Sequence, residues 1–158
     1  MKTATLKEVK IELTHKAHHE LIELCLRLSR FKKDNKELLT YLLFENLNED
    51  KYIENIKIAM DKEFNLINTN SYFYIRKSIR KILRLIKKYI RYSQNKETEV
   101  VLLLYFCIRL KEFSPSINKS KALLNIFERN VDFINKKITF LHEDLQYDFR
   151  LEIEKLKN

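Results

Sequence analysis

Apolar residues recur at three- and four-residue intervals along most of the chain, which is the spacing of amphipathic helices. Leu21, Leu24, Cys25, Leu28 and Phe31 predict a helix over residues 14–31. Before it, Val9, Ile11 and Leu13 alternate with charged residues, a pattern equally suited to a short extended arm or a first helical turn. Asp34 followed by Glu37 forms a capping-box pattern that opens a helix through Leu38, Leu39, Leu42 and Leu43 to about Asn46. Asn48, Glu49 and Asp50 then start a third, with Ile53, Ile56, Met60 and Phe64 facing inward. Ser71 is the expected N-cap of a helix over 71–92, which Ser93, Gln94 and Asn95 end. Residues 98–113 are apolar nearly all round, as expected of a central core helix.

Ser114, Pro115 and Ser116 break the chain before a final helical pattern over 118–157. There Leu124, Phe127, Val131, Ile134, Ile138, Leu141 and Leu145 form a heptad seam, and Phe149, Ile153 and Leu156 continue it after a stutter. One continuous helix of this length would span about 57 Å, long enough to meet a second subunit. The alternative is a segment that wraps its own domain or kinks near Asn130 or Asn135. The expected fold is a single all-α domain over 1–158 with about six helices and a long C-terminal helix bearing the seam. Its helices would form an irregular bundle or a short α-solenoid-like stack of pairs.

Glycine is absent and Pro115 is the only proline, which disfavours hairpins and leaves turns that need positive φ to Asn. A Walker A loop, a Rossmann fingerprint, a nucleophile elbow and an EF-hand loop all require Gly, so none exists here. The longest uncharged apolar run, residues 100–108, is far shorter than the ~20 residues of a membrane span. Residues 1–14 mix Lys and Glu among apolar residues and lack the apolar centre of a signal peptide. Cys25 and Cys107 both fall in apolar periodic segments and read as small core residues in a reducing cytoplasm, not as a disulfide framework.

Charge changes the picture at one place. Residues 64–96 contain nine basic residues and no acidic one, so the net charge of +9 resides there, the remaining Lys and Arg being balanced by Asp and Glu. In helical projection, Ile75, Ile79, Ile82, Leu83, Ile86 and Ile90 fall in an arc of roughly 100°. Arg76, Lys77, Arg80, Lys81, Arg84, Lys87, Lys88 and Arg91 occupy the opposite arc of roughly 140°. Arg presents a planar fork suited to phosphate, and Tyr74 and Tyr92 flank the cationic arc where they can stack on bases. Three readings follow: a solvated face, an RNA- or DNA-backbone site, or a surface for an acidic protein or a membrane. A variant of the first has Glu143, Asp144, Asp148, Glu152 and Glu154 covering the ridge, within the chain or across a dimer.

No other constellation carries chemistry. His15, His18 and His19 stand at i, i+3 and i+4, but neither H-E-x-x-H nor paired Cys accompanies them, so no metal or cofactor is expected. His142 beside Glu143 and Asp144 has no nucleophile nearby in sequence, and the expected role is non-catalytic, with no small-molecule substrate. The run from Leu24-Cys25-Leu26-Arg27-Leu28 through Leu38-Leu39-Thr40-Tyr41-Leu42-Leu43-Phe44-Glu45 resembles a group of small helical bacterial proteins with no established function. Similar wording recurs in 71–92 and 98–112. The resemblance implies a bacterial, cytoplasmic setting and no activity. The remaining expectation is a binding module for RNA or DNA, with self-assembly through the C-terminal seam as the alternative.

Overall fold

Three helices begin where an N-cap side chain, of Thr5, Asn48 or Asn95, accepts an N–H of the first turn, whereas Ser71 stands at its expected cap position without a side-chain hydrogen bond. In the computed structural model, which describes residues 1–157, eight α-helices, a π-helical turn and a 3-10 turn occur among the described residues, with no strand. The chain divides into two compact units, Met1–Phe44 and Glu45–Asn158.

In the first unit, α1 (Leu6–Thr14) opens with a capping box in which Glu8 accepts from the Thr5 N–H at 2.7 Å. That backbone donor, with the Thr5 hydroxyl, holds the Glu8 carboxyl below its ordinary range. The alternation at 9–13 is therefore helical. Helix α2 (His18–Phe31) starts later than its apolar pattern implies, because Glu20 reaches back to the Ala17 N–H at 2.8 Å and fixes a break at Lys16 and Ala17. Lys32 is extended (φ −141°, ψ 141°) and links α2 directly to α3 (Lys33–Thr40), with Asn35 Nδ2 donating to the Leu28 carbonyl at 2.9 Å. Asp34 thus lies inside the first turn of α3 and is not its N-cap. A π-helical turn, Tyr41–Glu45, extends the same pattern. Cys25 is exposed, contrary to the core role its spacing implied, and borders a groove with Leu28, Leu38 and Leu42.

In the second unit, α4 (Glu49–Asn65), α5 (Tyr72–Ser93), α6 (Lys96–Lys111), α7 (Lys121–Ile138) and α8 (Glu143–Lys157) gather about α6, which packs on each of the other four. Val100, Leu102, Leu103, Phe106, Cys107 and Leu110 of α6 are essentially inaccessible. The Phe106 and Phe64 rings lie 6.0 Å apart, an aromatic pair at the centre of this core. The neighbours of α6 are the two helices before it and the two after it, contacts that an irregular bundle and a short stack of helix pairs share. The Glu49 carboxylate binds the unit together by accepting from the Ser93 hydroxyl and, at 2.6 Å, from the buried Thr98 hydroxyl. Between α4 and α6, Arg109 lies 2.8 Å from Asp61, which also accepts from the Tyr105 hydroxyl at 2.8 Å. Burial and that hydrogen bond push the Tyr105 phenol up to about 12.

Three further expectations need correction. The helices number eight among the described residues, and the C-terminal segment is two helices and not one. The break at 139–142 follows from Thr139, whose hydroxyl caps the Lys136 carbonyl at 2.8 Å, and from Glu143 and Asp144, which suit a new first turn. Seam residues Val131, Ile134 and Ile138 are buried within the second unit, and Leu124, Phe127, Leu141 and Leu145 are half-buried there. Positive φ falls to Gln94 (φ 55°), not to an Asn, where its N–H closes α5 on the Ile90 carbonyl at 2.9 Å.

Cys107 is fully buried and burial pushes its thiol up to about 12. A native chain should therefore release one equivalent of thiol to a maleimide, from Cys25, and a second only on unfolding. Because the Cys107 proton is held more tightly in the folded state than at its ordinary value of 9.0, this stabilisation is complete below that value and is lost as pH rises toward about 12. Rapid native labelling of two thiols would contradict the packing of α6.

Candidate nucleic-acid interface

Helix α5 is held by five Ile residues. Ile75, Ile79, Ile82 and Ile86 are at most 1% exposed and Ile90 is 8% exposed. Each contributes about 1.5–3 kcal/mol through burial, whereas each like-charge i,i+4 pair on the other face costs about 0.2–0.5 kcal/mol. The stripe therefore carries the ridge. The Tyr72 hydroxyl fixes the start of α5 by donating to the Ser116 carbonyl at 2.8 Å, and Tyr52 donates to the Tyr89 carbonyl at 3.0 Å near its end.

Lys77, Arg80, Arg84, Lys87 and Arg91 are exposed and Arg76 is half-buried. Among the described residues none of these six makes an ion pair. The other two candidates differ. Lys81 is 2.9 Å from Glu63 of α4, and half-buried Lys88 lies 5.4 Å over the Tyr89 ring. The six uncommitted cations run about 22 Å along the helix from Arg76 to Arg91. All but Arg91 border a shallow groove of about 470 Å³ lined by Phe73, Arg76, Lys77, Arg80, Leu83, Arg84 and Lys87.

The acidic C-terminal residues do not cover this face. Helix α8 packs on α6 and α7, and Glu143, Asp144, Asp148, Glu152 and Glu154 are all exposed. Among the described residues none of the five pairs with α5; Asp144 instead lies 3.4 Å from His142. Internal compensation of the ridge by α8 is thus overturned.

Phe73 is the functional candidate that charge reading missed. It is 60% exposed and stands four, seven, eleven and fourteen residues before Lys77, Arg80, Arg84 and Lys87, on the centre line of the cationic arc. Its ring meets Tyr74, itself 48% exposed, edge-on at 5.5 Å. Tyr92, half-buried and edge-on to Tyr89 at 6.1 Å, is a poorer stacking surface than Tyr74.

The histidine spacing does not form a metal site. Helix α1 ends at Thr14 and α2 begins at His18, so His15 does not share a helix face with His18 and His19. Among the described residues no group of three His, Cys, Asp or Glu is placed to hold a metal ion, and no helix is long and apolar enough to cross a membrane. No protein-family model, curated protein or solved structure matches the chain.

Proposed function

We propose that the second unit binds nucleic acid through the phosphate backbone, single-stranded RNA or DNA first, with α5 as the contact surface. The observation that supports this reading most is the ridge itself: six cations without ion-pair partners in a row, left uncovered by the chain's own acidic helix. Such a row repels itself and gains most from a partner that supplies regularly spaced phosphates. Arg76, Arg80, Arg84 and Arg91 supply planar forks for phosphate oxygens, with Lys77 and Lys87 as point charges between them. Phe73 and Tyr74 add exposed rings at the N-terminal end, where unpaired bases can stack at about 1–3 kcal/mol each. Duplexes offer the same phosphates but no free base faces, hence the order of preference. The proposed role is binding, and no catalytic role is assigned to a residue of this face.

Fluorescence anisotropy with a labelled single strand, and with the duplex of the same sequence, tests the reading. Low-salt binding of both is expected, the single strand about 10-fold tighter from one ring stack, and Phe73→Ala should remove that preference. Absence of binding to either probe at low salt would sink the proposal.

A further inference from the structure

The first unit has a different surface, independent of the cationic ridge. Of its large apolar side chains only Tyr41 is buried, while fourteen large apolar residues in Met1–Phe44 are exposed. Leu24 (38%), Leu28 (59%) and Phe31 (79%) line one face of α2, and Leu38 and Leu42 continue it across a groove of about 230 Å³ between α2 and α3. Apolar residues exposed singly are ordinary on a protein surface, whereas a contiguous apolar face rimmed by charged residues marks an interaction site.

Charge on α2 identifies the occupant. Glu20 and Glu23 lie in its N-terminal half, and Arg27 and Arg30 in its C-terminal half, along one flank of the apolar face. Glu20 is committed to the Ala17 N–H and Lys16, but among the described residues Glu23, Arg27 and Arg30 make no ion pair. A parallel two-fold copy would carry this flank on opposite sides of the seam and leave its charges unpaired. An antiparallel copy sets each acidic half against the other's basic half, which is the self-complementarity that a two-fold interface requires.

We propose that this face is a self-association surface: α2 of a second copy docks antiparallel on α2, with Leu24, Leu28 and Phe31 interleaved and Glu23 of each copy facing Arg30 of the other. The two-fold axis then passes near the middle of the helix. Exposed Cys25 lies beside that axis, within reach of its own equivalent in the other copy.

Sedimentation of the full chain at high micromolar concentration, with and without Leu28→Glu, is the first measurement. A dimer is expected for the wild type, weakened at least about 10-fold by the substitution with helix content unchanged, because Leu28 is exposed. A short bis-maleimide should join two chains through Cys25 and fail in Cys25→Ser. Glu23→Arg and Arg30→Glu should each weaken self-association, and mixing the two should restore a heterodimer. A monomer at all concentrations would overturn the proposal. A dimer indifferent to Leu28→Glu, or one that Cys25 fails to cross-link, would overturn the placement on α2.

Discussion

Arg80→Glu combined with Arg84→Glu is expected to weaken nucleic-acid binding at least about 100-fold, or about 2.7 kcal/mol. The two residues occupy successive turns at the middle of the ridge, both exposed and neither in an ion pair among the described residues. Each reversal removes a phosphate contact and puts a repulsive charge in its place, so the loss exceeds that of a neutral substitution. Folding should be spared. Surface substitutions of this kind stay within about 0.5 kcal/mol, and these two relieve like-charge pairs at i,i+4. Lys119→Glu with Lys121→Glu makes the same change in net charge at exposed positions off the ridge and should alter affinity less than about threefold. Equal losses in the two variants would mean that net charge, not α5, is what the probe senses.

Phe106→Ala carries the largest expected loss of stability, about 3–5 kcal/mol. Its side chain is inaccessible, it lies 6.0 Å from the Phe64 ring, and it sits on the helix against which α4, α5, α7 and α8 all pack. Truncation leaves a cavity that several helices would have to move together to close. A thermal midpoint lower by about 10–20 °C should follow. Phe140→Ala removes the same atoms from a ring that is 66% exposed and should cost under about 1 kcal/mol. Comparable effects from the two would contradict the central position of α6.

Periodicity made α5 and α6 legible because their burial and their local pattern agree. Ile75 to Ile90 repeat on one side, and the predicted range 71–92 differs from Tyr72–Ser93 by one residue at each end. The core helix shifted by two residues, to Lys96–Lys111, since Asn95 caps it by accepting from the Glu97 and Thr98 N–H groups. The C-terminal break was harder to see because the heptad spacing runs straight through it from Ile138 to Leu145. Glu143 and Asp144 were the signal, read as charge when they also mark a helix start. On α2 the apolar face was legible and its exposure was not. A periodic pattern states that a face is apolar, and only tertiary structure states whether anything covers it. Phe73 escaped for a related reason: it shares the spacing of Lys77 and Arg80 but carries no charge. The separation of the α8 acids from the ridge depends on which helices α6 brings together, which no local pattern encodes.

The most direct test of α5 as a phosphate-binding ridge is the salt dependence of wild-type affinity for a labelled single strand. Contacts from all six uncommitted cations predict a log–log slope of about −4, reduced to about −3 or shallower in the Arg80→Glu and Arg84→Glu double variant, which keeps four of them. A wild-type slope near zero, or one that the double variant leaves unchanged, would contradict it.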